Sequence, residues 1–179
     1  MNGSSQHTSN KEKVIAAQAK KASLILGALS LSERNAALQQ IHSLLSSRKD
    51  EILAANMLDM TEAEELVKQG KLQGSMVKRL DLARGGKFES MLQGVLDIME
   101  LPDPLGRVTY ATKMDTGLDL KRICCALGVL LVIFEARPEV VVNITALALK
   151  SGILFPSPPF PSLVSTGPST ANCDGRYLL

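Results

Sequence analysis

At Gly152 the chain changes character, and that change limits what the whole sequence can fold into. Up to that point helical and strand periods follow one another as in an α/β domain. From Ile153 the text reads ILFPSPPFPSLVSTGPSTANCDGRYLL, 27 residues that hold five of the eight prolines and only two charges, Asp174 and Arg176. Neither a helix nor a central strand accommodates prolines at that density, because each one removes a backbone donor. Residues 153–179 are therefore expected to be a divergent, disordered tail. It is either natural low-complexity sequence or the product of a frame shift, retained intron or faulty gene model. The second is favoured because the strand and helix before it are left without the parallel partner strand that should follow.

The residues ahead of the break read as one body. Residues 1–10 are polar and expected to be a disordered leader with no secretory h-region. Lys11 to Leu29 carries Val14, Ala17, Leu24 and Ala28 at helical spacing, which predicts a helix with one buried stripe. Ser30-Leu31-Ser32-Glu33 fits a capping box opening a second helix, with Ala37, Leu38, Ile41, Leu44 and Leu45 on its inner face. Asp50 is expected to cap a third helix with Ile52, Leu53 and Met57 inward. Shorter helices follow near Ser75–Leu82 and Phe88–Glu100, separated by Gly85-Gly86. Pro102 and Pro104 then forbid helix. Val108–Lys113 and Leu118–Ile123 flank Asp115-Thr116-Gly117 as a hairpin. Gly128–Phe134 is an unbroken apolar run suited to a strand covered on both faces, as in a parallel sheet. Pro138 suits the first position of a helix running to Lys150, apolar nearly all round and so expected to be buried.

Composition removes several function classes. The net charge of +2 argues against a nucleic-acid or anionic-membrane partner. With aromatics at 3% and no Trp, a stacking platform for bases is not expected. The longest apolar run, Ile123 to Phe134, is too short to span a bilayer. Cys124, Cys125 and Cys173 form no disulfide framework, so a reduced, cytoplasmic setting is expected.

Most motifs reduce to bland readings. Asp115-Thr116-Gly117 matches the aspartic-protease tripeptide, but that chemistry needs two carboxylates sharing a proton, and a polar turn fits better. Ser46-Ser47-Arg48-Lys49 has Ser-x-x-Lys spacing without its companion motifs. His7 and His42 have no ligand company, so no metal is expected. Cys124 and Cys125 have no nearby base and read as packing residues. The exception is Phe134-Glu135-Ala136-Arg137-Pro138, at the carboxyl end of a strand where open α/β sheets bind ligands. An arginine beside a helix N-terminus suits phosphate or carboxylate.

These segments carry a resemblance. LSERNAALQQI (Leu31–Ile41), PDPLGRV (Pro102–Val108), MDTGLDLKRI (Met114–Ile123) and above all GVLLVIFEARPEVVVNITALALKSG (Gly128–Gly152) resemble γ-glutamyl phosphate reductase, also called glutamate-5-semialdehyde dehydrogenase. The resemblance covers about Lys11 to Gly152. It implies an α/β chain that is the N-terminal fragment of an aldehyde-dehydrogenase-like fold, with helices, a β-hairpin and the start of a parallel doubly wound sheet. Residues 11–152 would be a partial cofactor-binding domain, with an oligomerisation hairpin near 107–123. It also implies a cytoplasmic, NADPH-dependent oxidoreductase of proline biosynthesis. A cysteine thiolate displaces phosphate from γ-glutamyl phosphate, and hydride then releases glutamate 5-semialdehyde. Glu135, Ala136, Arg137 and Pro138 match the family segment lining the cofactor and substrate cleft. The family's catalytic cysteine lies downstream of Gly152, so no catalytic residue is assigned and Cys173 is not promoted to that role. The chain is thus expected to be truncated and inactive. Alternatively it is a non-catalytic isoform that joins full-length subunits or forms a homo-oligomer.

Overall fold

The computed structural model describes residues 4–132 and 137–154, with side chains described from Lys13 onward. Six helices and one hairpin follow in order: α1 (Ser4–Ala28), α2 (Leu31–Ser47), α3 (Lys49–Lys68), α4 (Gly74–Leu80), α5 (Lys87–Glu100), β1 (Val108–Asp115), β2 (Leu118–Ile123) and α6 (Pro138–Lys150). The described chain divides into two compact units, one of residues 4–38, 98–132 and 145–154, the other of residues 39–97 and 137–144. Helices α2, α5 and α6 contribute residues to both.

In the first unit, α1 begins at Ser4, inside the leader expected to be disordered. Helical hydrogen bonds propagate from a formed nucleus into weak helix formers at little cost. Its packing face is not the predicted one. Val14, Leu24 and Ile25 are 54%, 63% and 61% exposed, while Ser23 is buried. Small residues do the packing. A Cβ at Gly27 would lie 3.5 Å from Ala126 Cβ, and one at Gly128 would lie 3.8 Å from Ser23 Oγ. Backbone this close leaves room for Ser and Gly and none for Leu, so the large residues stand outward.

The capping box between α1 and α2 forms at the positions expected. The Glu33 N–H donates to Ser30 Oγ at 3.3 Å and the Ser30 N–H donates to Glu33 Oε2 at 2.8 Å. The Ser30 hydroxyl, donating to Glu33 Oε2 at 2.7 Å, and after it the Ser30 N–H hold the Glu33 carboxyl below its usual range. The hairpin also forms where the alternation places it, antiparallel, with Thr116-Gly117 at its tip and Gly117 at φ 80°. Past β2 the pairing runs on, since the Cys124 N–H donates to Arg107 O at 3.0 Å and the Gly106 N–H to Cys124 O at 2.9 Å. Every residue of β2 is exposed.

The expected strand at Gly128–Phe134 is reduced to one parallel bridge, Val129 with Leu154; Ile133 and Phe134 lie outside the described residues. Covering on both faces is not seen either, Leu130 and Leu131 being 42% and 56% exposed. The bridge also corrects the expectation that no parallel partner follows α6. The Leu130 N–H donates to Leu154 O at 3.0 Å, and the Leu154 N–H to Gly128 O at 2.8 Å. Leu154 precedes the first tail proline, Pro156, so its own donor is intact for this contact.

In the second unit, α5 buries Phe88, Met91 and Val95 on one face, with Ala63, Leu80 and Leu82 also buried. Helix α3 starts from Arg48 with no side-chain cap, so Asp50 lies inside the first turn, where its charge still favours the helix N-terminus. Its buried residues are Asn56, Asp59 and Ala63, whereas Met57, expected inward, is 67% exposed. Asn56 explains the difference. Its Nδ2 donates to Leu80 O at 2.9 Å and its Oδ1 accepts from the Leu82 N–H at 2.9 Å, closing the end of α4 as an apolar side chain cannot. Gly85 and Gly86, both at positive φ, separate that end from α5 as expected.

Candidate functional site

Helix α6 carries the site and is built differently at its two ends. Pro138 occupies the first helical position, where its missing N–H costs nothing and its fixed φ suits the helix. Arg137 precedes it, exposed, with its carbonyl accepting from the Val140 N–H at 3.1 Å. Arg137 is thus an exposed cationic residue beside a helix N-terminus, an arrangement that attracts phosphate or carboxylate. Of the four residues expected to line the cleft, Arg137 and Pro138 are placed here, and Glu135 and Ala136 lie outside the described residues. Two further polar residues sit on the first turns of the same helix. Glu139 Oε2 and Asn143 Oδ1, one turn apart, are buried and accept no hydrogen bond among the described residues. A Cβ at Gly94 would come within 3.3 Å of Asn143 Oδ1. The sequence gives no sign of either residue's role, because the helix is otherwise apolar.

At the other end every acceptor is used. The Ser151 N–H donates to Leu147 O at 3.0 Å, the Gly152 N–H to Leu149 O at 3.2 Å and the Ile153 N–H to Ala148 O at 2.8 Å. This is the crossed pattern of a glycine-terminated helix, with Gly152 at φ 64°. The last carbonyl, Lys150 O, accepts from Arg34 Nη1. Arg34 Nη2 also spans both oxygens of Asp103, at 2.9 and 2.7 Å. The Lys150 ammonium donates to Met99 O at 2.8 Å and to Asn35 Oδ1 at 3.0 Å. Arg34 and Lys150 are only 1% and 2% exposed. Burial pushes the Lys150 amine below the usual lysine range. The Leu105 N–H, followed by the Arg34 guanidinium, holds Asp103 below the usual carboxylate range.

The sequence held one clue to this cluster. Arg34 falls on the apolar stripe of α2, four residues before the buried Leu38, where a solvated charge is out of place.

Nothing in the described residues supplies a metal site or an activated thiol. No group of three His, Cys, Asp or Glu side chains converges there. Cys124 is half-buried in the continuation of the hairpin, whereas Cys125 is exposed rather than packed, with its Sγ 3.8 Å from Ile123 O. Among the described residues no single helix is long and apolar enough to cross a membrane.

No family model matches the chain. Curated relatives and solved structures do. The chain is 58% identical over 135 residues to a probable γ-glutamyl phosphate reductase of Schizosaccharomyces pombe, covering 75% of this chain and 30% of that protein. Against the γ-glutamyl phosphate reductase of Saccharomyces cerevisiae it is 48% identical over 138 residues, 77% of this chain and 29% of that one. A crystal structure of the Saccharomyces cerevisiae enzyme superposes with a TM-score of 0.73 at 45% identity, covering 80% of this chain and 36% of that one. One from Thermotoga maritima gives 0.69 at 32% identity, over 79% and 33%. The chain thus spans about 30% of the length of the curated relatives it matches.

Proposed function

From the premise that the N-terminal three quarters of this chain belong to the γ-glutamyl phosphate reductase family, we propose that it supplies the cleft-lining and assembly portion of such an enzyme. The reaction is NADPH-dependent reduction of γ-glutamyl phosphate to glutamate 5-semialdehyde, in proline biosynthesis. The observation that carries this reading is the start of α6. The specific I-F-E-A-R-P segment leaves an exposed guanidinium at a helix N-terminus.

Arg137 takes an anionic group there, the substrate's acyl phosphate or a phosphate of the nucleotide. Glu139 Oε2 and Asn143 Oδ1 are closed off from solvent, Asn143 Oδ1 against Gly94, so the fit of the residues present to the cofactor rests on Arg137. NADPH, when bound, supplies the hydride. Glu135, Ala136 and Pro138 line the same cleft in this reading. The thiolate that displaces phosphate is assigned to neither Cys124 nor Cys125, and in this reading the 179-residue chain by itself is inactive. Free thiols at Cys124 and Cys125 suit a reducing compartment, which supports the cytoplasm as the setting.

The exposed hairpin favours a second role. Tyr110, Met114, Leu118 and Leu120 are 52–62% exposed, an apolar surface that pairing with a full-length subunit or a second copy would cover. In that role the chain is a non-catalytic isoform within a mixed assembly.

An NADPH-oxidation assay with γ-glutamyl phosphate generated in place tests the first role, and turnover by this chain alone overturns its inactivity. Titration with NADPH is expected to show Arg137→Ala weakening binding about tenfold. Equal affinity for the two proteins removes the nucleotide phosphate as the group that Arg137 takes. Co-expression with a full-length subunit, read by mass of the purified assembly, tests the second role.

A further inference from the structure

The Arg34, Asp103 and Lys150 cluster lies outside the proposed cleft and takes no part in the chemistry above. Its construction poses a question that stability alone does not answer. Two cations and one carboxylate are packed together, and a buried ammonium is costly to desolvate. An apolar side chain of the same length fills such a space with less loss. The ammonium does something a methylene chain cannot. Met99 O, near the end of α5, accepts from Lys150, and Lys150 O, at the end of α6, accepts from Arg34. The two cations each meet the partially negative end of a helix, which offsets the surplus positive charge that Asp103 leaves. The result fixes a direction. The side chain of residue 150 is tied to α5 and α2, and its carbonyl to α2. Two residues later Gly152 must turn at positive φ against Gly27 Cα, 3.4 Å from where a Cβ would stand. Two residues after that, Leu154 must meet Val129 in register.

We propose that Lys150 is a positioning residue for the crossover: by pinning the end of α6 to Met99 O and Asn35 Oδ1, with Arg34 on its carbonyl, it sets the register in which Leu154 pairs with Val129. A one-residue slip at this point turns Leu154 to the opposite face and aims all later chain differently. The ammonium thus serves specificity of chain direction, and its burial is a cost borne for that.

The test is amide hydrogen exchange on the 179-residue chain at Leu130 and Leu154, whose N–H groups make the bridge, with Cys124 of the hairpin as internal reference. Lys150→Met keeps the length and removes the donor. It is expected to speed exchange at Leu130 and Leu154 about tenfold, leave Cys124 within about twofold, and leave the thermal midpoint unchanged or raised. Lys150→Arg, which keeps a charged donor, is expected to recover most of the lost protection. A purely structural lysine would lower the midpoint and loosen all three amides together, and that result overturns the proposal. So does unchanged exchange at Leu130 and Leu154 in Lys150→Met. If Lys150→Met does not fold, Asn35→Ala decides, because it withdraws one acceptor and leaves the ammonium in place. It must loosen the same two amides ahead of Cys124, and failure to do so equally overturns the assignment.

Discussion

The two ends of α6 are made from opposite materials. At its end every carbonyl from Leu147 to Lys150 has a donor, and one of those donors is a buried arginine. At its start the arginine is exposed to solvent, and Glu139 Oε2 and Asn143 Oδ1 are buried with nothing to accept. Hydrogen-bonding capacity is used up where the helix hands the chain onward and left unspent where a ligand is proposed to dock. A satisfied polar end specifies structure, and an unsatisfied one is available to something else.

The sharpest way to break this contrast is Arg34→Met. It leaves Asp103 without its cation and Lys150 O without its donor. Asp103 is 31% exposed on its side chain, so solvent recovers part of the loss, and we expect about 2–4 kcal/mol in urea unfolding. A loss under about 1 kcal/mol would mean that the cluster does not hold that end of the helix. Gly152→Ala comes next, at about 1–3 kcal/mol by the same measurement. The new Cβ stands at positive φ and 2.8 Å from Leu105 Cδ1, so the backbone is strained and the leucine tip must shift. At the other end, Asn143→Ala is expected to change stability by less than about 1 kcal/mol in either direction, since it removes a buried acceptor that has no donor. A large loss there would show that the start of α6 is held by internal bonding as firmly as its end.

The smallest effect is one of pH, and it belongs to the satisfied end. The folded chain holds Asp103 below the usual carboxylate range, so its contribution is complete above that range and is lost as pH falls through the lowered value. The folded chain also releases the Lys150 proton earlier than the unfolded chain does. Stability therefore rises as pH climbs from the lowered amine value toward the usual lysine range. Both slopes run the same way. Asp103→Asn should flatten the acid limb and Lys150→Met the alkaline one, read as urea midpoints against pH.

Local signals were legible in the sequence and long-range ones were not. The capping box at Ser30 and Glu33, the Thr116-Gly117 turn and the Pro138 start each depend on neighbours within a few residues, and each formed where it was expected. The stripe on α1 misled because apolar spacing cannot tell a face that packs from one that is too large for the gap opposite. There Ser23 and Gly27 were the informative residues. Asn56 displaced Met57 from the inner face because two main-chain groups of Leu80 and Leu82 needed an amide. The partners of Lys150 lie up to 116 residues away, and no periodicity reports a separation of that kind. The cleft residues were found by resemblance and by the place of Arg137 at a helix start, yet Glu139 and Asn143 looked like ordinary breaks in an apolar run.

The bond from Arg34 to Lys150 O closes a separation of 116 residues, and that number also sets an order of events during synthesis. Arg34 leaves the ribosome long before residue 150 is made. Until then its guanidinium can reach Asp103 once residue 103 is made, but it has no end of α6 to meet. When residues 147–154 emerge, the same charge becomes the clasp that stops α6 and turns the chain back toward Val129. The place of the arginine in the chain thus fixes when this fastening can form, which is after residues 35–149 are made.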